Sequence, residues 1–199
     1  MILTENEKRV LRFLAANAAR DYSINDVAKA CDITPNGAHK MLIKLEREGV
    51  LKAKHVANIK AYKPEFKNEK TARVYELAFM PEALLQGRIK LRADDLKQLK
   101  AVTKACVLFG SYVTAKQKPE DLDALFVVEK DNFESYKKVL GKVQDISPVK
   151  IHDIVQTTDD LRKNLKKSDP IVTEALHKGI ALWGFDVIVQ VIKNDTKQG

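Results

Sequence analysis

Two aspartates, two positions apart, stand at the beginning of an apolar segment in the C-terminal half of the chain. Asp121 and Asp123 precede the run Ala124–Val128, and Leu122 lies between them. Side chains at positions i and i+2 of a strand share a face, so both carboxylates should project together while Leu122 points into the core. Two adjacent carboxylates repel each other unless a cation accompanies them. The pair therefore predicts a site for Mg²⁺, which prefers oxygen ligands and the phosphates of a substrate.

A glycine-serine pair lies upstream of these aspartates. The apolar run Ala105–Phe109 ends abruptly at Gly110 and Ser111, which predicts a buried strand that leads into a turn. Glycine lets the backbone approach a phosphate closely, and Ser111 adds a hydroxyl and an amide donor at the start of a predicted helix, where anions are favoured. The pattern predicts a phosphate-binding turn close to the metal-binding strand.

The order strand, Gly-Ser turn, helix, strand and Asp-Leu-Asp resembles the nucleotidyltransferase superfamily of DNA polymerase beta, in particular its minimal branch. The resemblance implies that Gly110 and Ser111 hold the phosphates of a nucleoside triphosphate, and that Asp121 and Asp123 bind Mg²⁺ or Mn²⁺. It also implies transfer of a nucleoside monophosphate to an acceptor hydroxyl on a nucleic acid or a protein. An antitoxin-like role, in which a partner protein receives the nucleotide, is suggested by the family alone.

Members of this superfamily also carry a third carboxylate on a later strand. The candidate is Asp153, within the predicted strand 149–155, and it would complete the catalytic set with the two aspartates. Alternation places Asp153 on the face of this strand that also carries Ile151. The neighbouring His152 could instead face the site, or it is an ordinary surface or partly buried histidine.

The residues around these strands predict a nucleotidyltransferase domain at 92–199, an α+β fold with a short mixed sheet flanked by helices. A helix is expected from Arg92 to Lys104, and Trp183 is expected in the core. Further helices are predicted at 133–140, 158–166 and 170–177, followed by the apolar stretches 180–184 and 185–192.

The segment 64–91 is predicted to be a helical linker. It contains a helix at Glu69–Phe79, a break at Pro81 and a second short helix ending near Gly87. This linker is too apolar for a free tether, so we expect it to pack between the two domains or against a second subunit. A homodimer is one consequence of that expectation.

The first 63 residues predict three helices and a hairpin. Thr4 with Glu7 forms a capping-box pattern that opens a helix at about 5–18, and Ser23 opens a second helix ending near Ala30. Thr34, followed by Pro35, opens a third helix that ends before Gly49. Alternating residues at 50–54 and 59–63 predict two short strands. This pattern resembles the winged helix-turn-helix family of archaeal and bacterial regulators.

The resemblance implies a DNA-binding domain at 1–63. Outward positions of the third helix carry side chains that can reach base edges and phosphates in a major groove, and the hairpin adds two lysines. The predicted DNA-contacting residues are Asn36, His39, Lys40, Lys44, Lys52 and Lys54. Winged helices also serve as protein-interaction modules, which is the alternative interpretation of this domain.

The positive charge of the first third suits a module that binds a polyanion, and a lysine-rich solubilising surface would look the same. The net charge is +8, and residues 1–63 hold 12 Lys or Arg against 7 Asp or Glu.

No apolar run approaches the roughly 18 residues of a membrane span, and no secretory signal follows Met1, so we expect a cytoplasmic protein that has no membrane partner. Cys31 and Cys106 are isolated, which favours neither a disulfide nor a zinc site.

Two functions follow from the two predicted domains. The first is a metal-dependent nucleotidyltransferase with an attached domain that binds duplex DNA. The second is a DNA-binding transcriptional regulator whose C-terminal domain only senses a nucleotide or dimerises. The joint presence of the Gly-Ser pair and the two aspartates favours the enzyme. The fold class expected for either is an α/β protein of two domains.

Overall fold

A computed structural model describes residues 2–56, 58–81, 87–114 and 119–196 of the chain. Within these residues the protein is an α/β structure with ten α-helices and two small sheets. No helix in this part of the chain combines the length and the apolar character needed to cross a membrane.

The N-terminal sheet lies beside three helices. The elements in chain order are α1 (Glu5–Ala16), β1 (Tyr22–Ser23), α2 (Ile24–Ala30), α3 (Pro35–Arg47), β2 (Leu51–Val56) and β3 (Ile59–Pro64). The three strands are antiparallel in the order β1-β3-β2. The strand β1 was not predicted from the sequence, because two residues are too few to show an alternating pattern.

Side-chain caps begin all three of these helices. The capping box of Thr4 and Glu7 is confirmed at α1, and Ser23 with Asp26 forms a second box at α2. Thr34 caps α3 and is followed by proline at the first helical position, as predicted. The prediction that the first helix reaches Ala18 is wrong, because α1 ends at Ala16, where the side-chain amide of Asn17 donates to the carbonyl of Phe13 (2.8 Å).

The rest of the chain builds a four-stranded mixed sheet with helices on both faces. Its elements are α4 (Glu69–Phe79), α5 (Gly87–Leu96), β4 (Ala105–Phe109), α6 (Ser111–Thr114), β5 (Asp121–Val127), α7 (Phe133–Ile146), β6 (Lys150–Gln156), α8 (Thr158–Lys166), α9 (Pro170–Lys178), β7 (Ile180–Trp183) and α10 (Phe185–Thr196). The strand order is β6-β5-β4-β7. The strands β5 and β6 are parallel, and β4 is antiparallel to both β5 and β7.

The two faces of this sheet belong to different apolar cores. One face carries Val107 and Leu125, packs against α8, α9 and α10, and shares its core with α1, α3 and α4. The opposite face carries Leu108 and Phe126 and packs against α5 and α7, with Trp183 in the same core. The alternation of side chains along each strand therefore divides the helices between the two sides.

The N-terminal helices and the mixed sheet are in direct contact. Phe13 of α1 packs on His177 of α9, with ring centroids 5.2 Å apart. The Arg12 Nη1 donates to the carbonyl oxygen of Gly179 at 3.3 Å. The helix α4 packs against α1 and α10, so this part of the predicted linker joins the core that the N-terminal helices share with one face of the mixed sheet.

Several predicted boundaries differ from the structure. The helix expected to start at Arg92 begins at Gly87 as α5, and the chain then forms a 3-10 helix at Lys97–Ala101 instead of continuing to Lys104. The short helix predicted to end near Gly87 falls largely on 82–86, outside the described residues. The helix predicted at 133–140 continues to Ile146 as α7.

Candidate active site

A left-handed glycine turns the chain at the end of β4. Phe109 pairs with Asp123 across the antiparallel strands, so the next residue, Gly110, lies directly beside this aspartate. Gly110 has φ +69°, which L-residues rarely adopt, and a methyl group in place of its hydrogen would overlap the Oδ2 of Asp123. Backbone conformation and space both require glycine here.

The turn leads directly into the short helix α6. Ser111 is its first residue and is exposed. The carbonyl oxygen of Gly110 accepts hydrogen bonds from the amide of Thr114 (3.2 Å) and from its hydroxyl (2.9 Å), which fixes the turn. The Ser111 hydroxyl is therefore held at the surface beside the end of β4. Residues 115–118 are outside the described part of the chain.

Asp121 and Asp123 lie on one face of β5, as the two-residue spacing predicts. Their side chains are partly exposed, at 46% and 31%, whereas Leu122 between them is buried in the opposite core. Both carboxylates stand at the start of the strand, on the side where Gly110 turns. The structure thus brings the Gly-Ser pair and the two aspartates together.

His152 of β6 joins this group. In the parallel register of β5 and β6 it is the partner of Asp123, and paired residues project to the same side of a sheet. Its Nδ1 lies 3.6 Å from the Oδ1 of Asp123, and its Nε2 lies 3.9 Å from the Oδ1 of Asp121. These distances exceed those of hydrogen bonds, so the imidazole stands beside both carboxylates without being bonded to either.

Asp153, predicted as the third catalytic acid, points to the opposite face. It is the register partner of Ala124, and its Oδ2 accepts a hydrogen bond from the hydroxyl of Tyr136 (2.9 Å) in α7. Burial and the adjacent carboxylate raise the pKa of this tyrosine, which therefore remains a donor. The expectation that Asp153 joins Asp121 and Asp123 is therefore corrected. His152, the preceding residue of β6, lies on the face of the sheet that carries the two aspartates, so Asp153 projects to the other face.

The carboxylates of Asp121 and Asp123 suit a metal ion whose other ligands come from water and a substrate. No group of three or more His, Cys, Asp or Glu residues converges as a metal site within the described residues. Asp121 and Asp123 offer hard oxygen ligands from neighbouring positions, which fits Mg²⁺, since Mg²⁺ commonly binds through one or two carboxylates with waters and substrate phosphates. Mn²⁺ accepts the same oxygen ligands.

Arg88 is a residue near the turn that the sequence patterns did not single out. Its guanidinium carbon lies 5.5 Å from the centre of the Tyr112 ring, a cation–π distance, and Tyr112 directly follows Ser111. Arg88 belongs to α5, whose first residues fall within the predicted linker 64–91. The signal available in the sequence was the aromatic residue after the Gly-Ser pair, which offers a surface for a cation.

The residues predicted to contact DNA fall into two groups. Asn36, His39 and Lys40 are exposed on α3. The remaining three are lysines with carboxylate partners: Lys44 with Glu7 (2.7 Å), Lys52 with Glu65 (3.5 Å) and Lys54 with Asp21 (2.5 Å). These carboxylate partners offset part of the positive charge of the three lysines.

Glu7 has a structural role in addition to its capping role. Its side chain is almost fully buried and accepts hydrogen bonds from Lys44 Nζ and from the amide of Thr4 (2.8 Å). Burial alone would raise the pKa of this carboxyl, but the hydrogen bonds from Lys44 and Thr4 outweigh burial and hold the pKa below its usual value. Glu7 is therefore ionised and links α1 to α3.

A sequence model described as a family of unknown function (DUF6932) matches residues 82–172, less than half of the chain. The matched span includes the Gly-Ser turn, both aspartates and His152, and it leaves out the N-terminal sheet. No curated protein and no solved structure matches the chain.

Proposed function

We propose that this protein is a metal-dependent nucleotidyltransferase with an N-terminal winged helix-turn-helix domain that binds duplex DNA. The observation that carries the proposal is the proximity of Gly110 to Asp123, because a Gly-Ser turn suited to binding a phosphate then lies directly beside a pair of carboxylates. The reaction is attack of an acceptor hydroxyl on the α-phosphorus of a nucleoside triphosphate, with pyrophosphate leaving.

The site geometry supports this reaction class. A triphosphate that lies along Gly110 and Ser111 would place its phosphates beside Asp121 and Asp123, because Phe109 and Asp123 are paired residues. When bound there, Mg²⁺ or Mn²⁺ would neutralise phosphate charge and orient the reacting oxygens. The two carboxylates would hold the ion, and the Ser111 hydroxyl would donate to a phosphate oxygen.

His152 is a group on this face that can accept a proton from the acceptor hydroxyl while the two carboxylates hold the ion. It projects beside both aspartates and its side chain is 45% exposed, so an acceptor can reach it from solvent. Imidazole is a common general base near neutral pH. Arg88, next to Tyr112, would add a positive charge on the other side of the turn.

The arrangement of residues 1–63 supports the DNA-binding part of the proposal. Two helices, α2 and α3, are joined by a short turn, and an antiparallel hairpin follows, which is the order of a winged helix-turn-helix. The exposed residues Asn36, His39 and Lys40 lie on α3, the second of the two helices. We assign residues 1–63 to this domain and 92–199 to the transferase domain.

The test is incubation of the full chain with Mg²⁺ or Mn²⁺ and each α-labelled nucleoside triphosphate, with nucleic acid or protein acceptors. Transfer of label is expected, and Asp121→Asn and Asp123→Asn should each abolish nearly all of it. The double variant should be little worse than either single variant, since residues of one metal-binding unit act non-additively. Asp145→Asn, an exposed acid on α7, is the matched control. Transfer that survives both single substitutions would overturn the assignment.

A second candidate function is a DNA-binding regulator that senses a nucleotide without transferring it. The position of Asp153 favours this alternative, because two of the three predicted acids, Asp121 and Asp123, remain on the site face. The direct packing of Phe13 on His177 would let nucleotide binding influence the N-terminal helices. If the protein is such a regulator, a nucleotide should bind and change the affinity of the protein for DNA, and no acceptor should be labelled.

A further inference from the structure

A lysine lies beside the two aspartates on the face of the sheet that forms the candidate active site. Lys150, the first residue of β6, is the register partner of Asp121, just as His152 is the partner of Asp123. Paired residues of neighbouring strands project to the same side, so Lys150 and His152 both belong to the site face. Lys150 is exposed, and the sequence patterns did not single it out.

The backbone at Lys150 is held in place from both sides. The side chain of Gln144 in α7 donates to the carbonyl of Val149 (3.2 Å) and accepts from the amide of Ile151 (2.7 Å). The hydroxyl of Ser147 donates to the same carbonyl at 2.8 Å. Since the two bonded residues flank Lys150, this lysine stands at a fixed position at the edge of the sheet.

The ammonium group of Lys150 is available to a ligand. Within the described residues no ion pair includes Lys150, although Asp121 is its register partner. A lysine that pairs with a carboxylate, as Lys44 does with Glu7, has part of its charge offset. The side chains of Asp121 and His152 are partly exposed, so this part of the face is open to solvent. Lys150 can therefore bind an anionic group that approaches the site from this side.

Lys150 and the Gly-Ser turn lie on opposite sides of the aspartates. Gly110 follows β4, which pairs with one edge of β5, whereas β6 pairs with the other edge. A triphosphate bound along Gly110 and Ser111 leaves the β6 side to the acceptor, whose hydroxyl meets His152. Lys150 precedes His152 by two positions, roughly 6.6 Å along the strand. The 3′-hydroxyl and the 5′-phosphate of one nucleotide are separated by a similar distance.

We propose that Lys150 binds the phosphate that precedes the terminal nucleoside of an acceptor strand, so that the acceptor is the 3′ end of a nucleic acid. The inference rests on the proposed transferase function and extends it to the acceptor. The 3′-hydroxyl oxygen forms a bond to the α-phosphorus, the bond from this phosphorus to the bridging oxygen of pyrophosphate breaks, and the hydroxyl proton passes to the imidazole of His152. A protein hydroxyl has no backbone phosphate beside it for Lys150 to bind.

Steady-state transfer by the full chain to two small acceptors tests this role. The first is a dinucleoside monophosphate, which has one phosphate before its terminal 3′-hydroxyl, and the second is the corresponding nucleoside, which has none. Lys150→Ala should raise the KM for the dinucleotide by about three- to tenfold, as expected for one lost phosphate contact, and should change turnover at saturation by less than about twofold. The KM for the nucleoside should not change. Lys150→Arg keeps the charge and should restore the KM for the dinucleotide.

A binding measurement without metal ion or triphosphate separates this inference from the proposed function. The probe is a short single strand labelled with a fluorophore at its 5′ end, in a DNA form and an RNA form, and its anisotropy reports binding. Lys150→Ala should weaken binding and lower the slope of log affinity against log salt by about 0.7. Lys142→Ala removes an exposed lysine of α7, which packs on the other face of the sheet, and should change neither quantity.

The outcomes distinguish the two proposals. If the wild type transfers label but Lys150→Ala leaves the KM for the dinucleotide unchanged, the inference is overturned and the transferase assignment stands. Equal weakening by Lys142→Ala, or label confined to protein acceptors, would also overturn the inference. If the wild type transfers no label, the proposed function fails, and strand binding unchanged by Lys150→Ala would then overturn the inference as well. Thermal unfolding of every variant, measured without ligand, confirms that the compared proteins are folded.

Discussion

The Nδ1 of His152 lies 3.6 Å from the Oδ1 of Asp123 because the two residues are register partners in the parallel strands β5 and β6. The next residue, Asp153, must then project to the other face, where it accepts a hydrogen bond from Tyr136. One position along a strand thus decides whether an imidazole or a carboxylate meets the paired aspartates.

The first prediction contrasts these two neighbours. His152→Ala should lower the turnover of nucleotidyl transfer roughly 10²–10⁴-fold, the range for loss of a positioned proton acceptor, and should leave nucleotide affinity nearly intact. Asp153→Asn should leave turnover close to that of the wild type, because the side chain lies on the other face. Single-turnover rates with a labelled nucleoside triphosphate measure both effects. The reverse result would place Asp153 in the site and contradict the observed register.

The second prediction concerns Gly110. Gly110→Ala should lower the free energy of unfolding by about 1–2 kcal/mol for the left-handed backbone alone, and the added methyl group would displace Asp123. We expect nucleotide affinity to fall by at least about tenfold, or about 1.4 kcal/mol. Denaturant unfolding and nucleotide titration measure the two effects.

Gly141 provides the matched control for this substitution. It lies in α7, and a methyl group added there meets no other atom within 4 Å. Gly141→Ala should therefore raise stability by up to about 1 kcal/mol through helix propensity and leave nucleotide binding unchanged. If the two alanine variants bind nucleotide equally well, the Gly110 turn has no part in the site.

Local features of the sequence predicted much of this structure. The caps at Thr4 and Ser23, the apolar strand before Gly110 and the common face of Asp121 and Asp123 each depend on residues within a few positions of one another. Capping, turn formation and strand alternation act over that range, so their patterns are visible without any tertiary information.

Features that depend on distant pairing were not predictable in this way. The position of His152 depends on how β6 aligns with β5, and the short strand β1 exists through its pairing of Tyr22 with Tyr62. The contact of Arg88 with Tyr112 likewise depends on how α5 packs beside the turn. In each case the residue that fixes the position lies far away in the sequence. No local sequence pattern therefore shows which strands or helices will pair, or in which register.

The third prediction separates two lysines of α3. Lys40→Ala should weaken binding of the full chain to duplex DNA and reduce the slope of log affinity against log salt by about 1, as expected for one lost phosphate contact. Lys44→Ala should in addition lower the melting temperature, because it leaves the buried carboxylate of Glu7 without its cation. Salt-titrated binding and thermal unfolding distinguish the two. A salt slope unchanged by Lys40→Ala would favour a protein partner for this surface.

The fourth prediction concerns pH and the buried His177. Burial, reinforced by the nearby charges of Lys178, Arg12 and Arg9, lowers the pKa of this imidazole from 6.5 to about 4. In the folded protein the ring therefore packs on Phe13 in its neutral form. In the unfolded chain it takes up a proton as the pH falls below about 6.5, the usual value for histidine.

The direction in which stability changes with pH follows from the pKa of His177 in the folded protein and in the unfolded chain. Above pH 6.5 neither state is protonated at this ring, so its contribution to stability is constant. Between pH 6.5 and 4 the unfolded chain binds a proton that the folded protein does not, so stability falls, by roughly 3 kcal/mol at 1.36 kcal/mol per pKa unit.

Denaturant unfolding of the wild type and of His177→Leu at intervals from pH 8 to pH 4 measures this contribution. The stability difference between the two proteins should be level above pH 7 and should shift in favour of the leucine variant as the pH falls. Parallel stability curves for the two proteins over the whole range would show that His177 titrates in the same way in the folded and unfolded states.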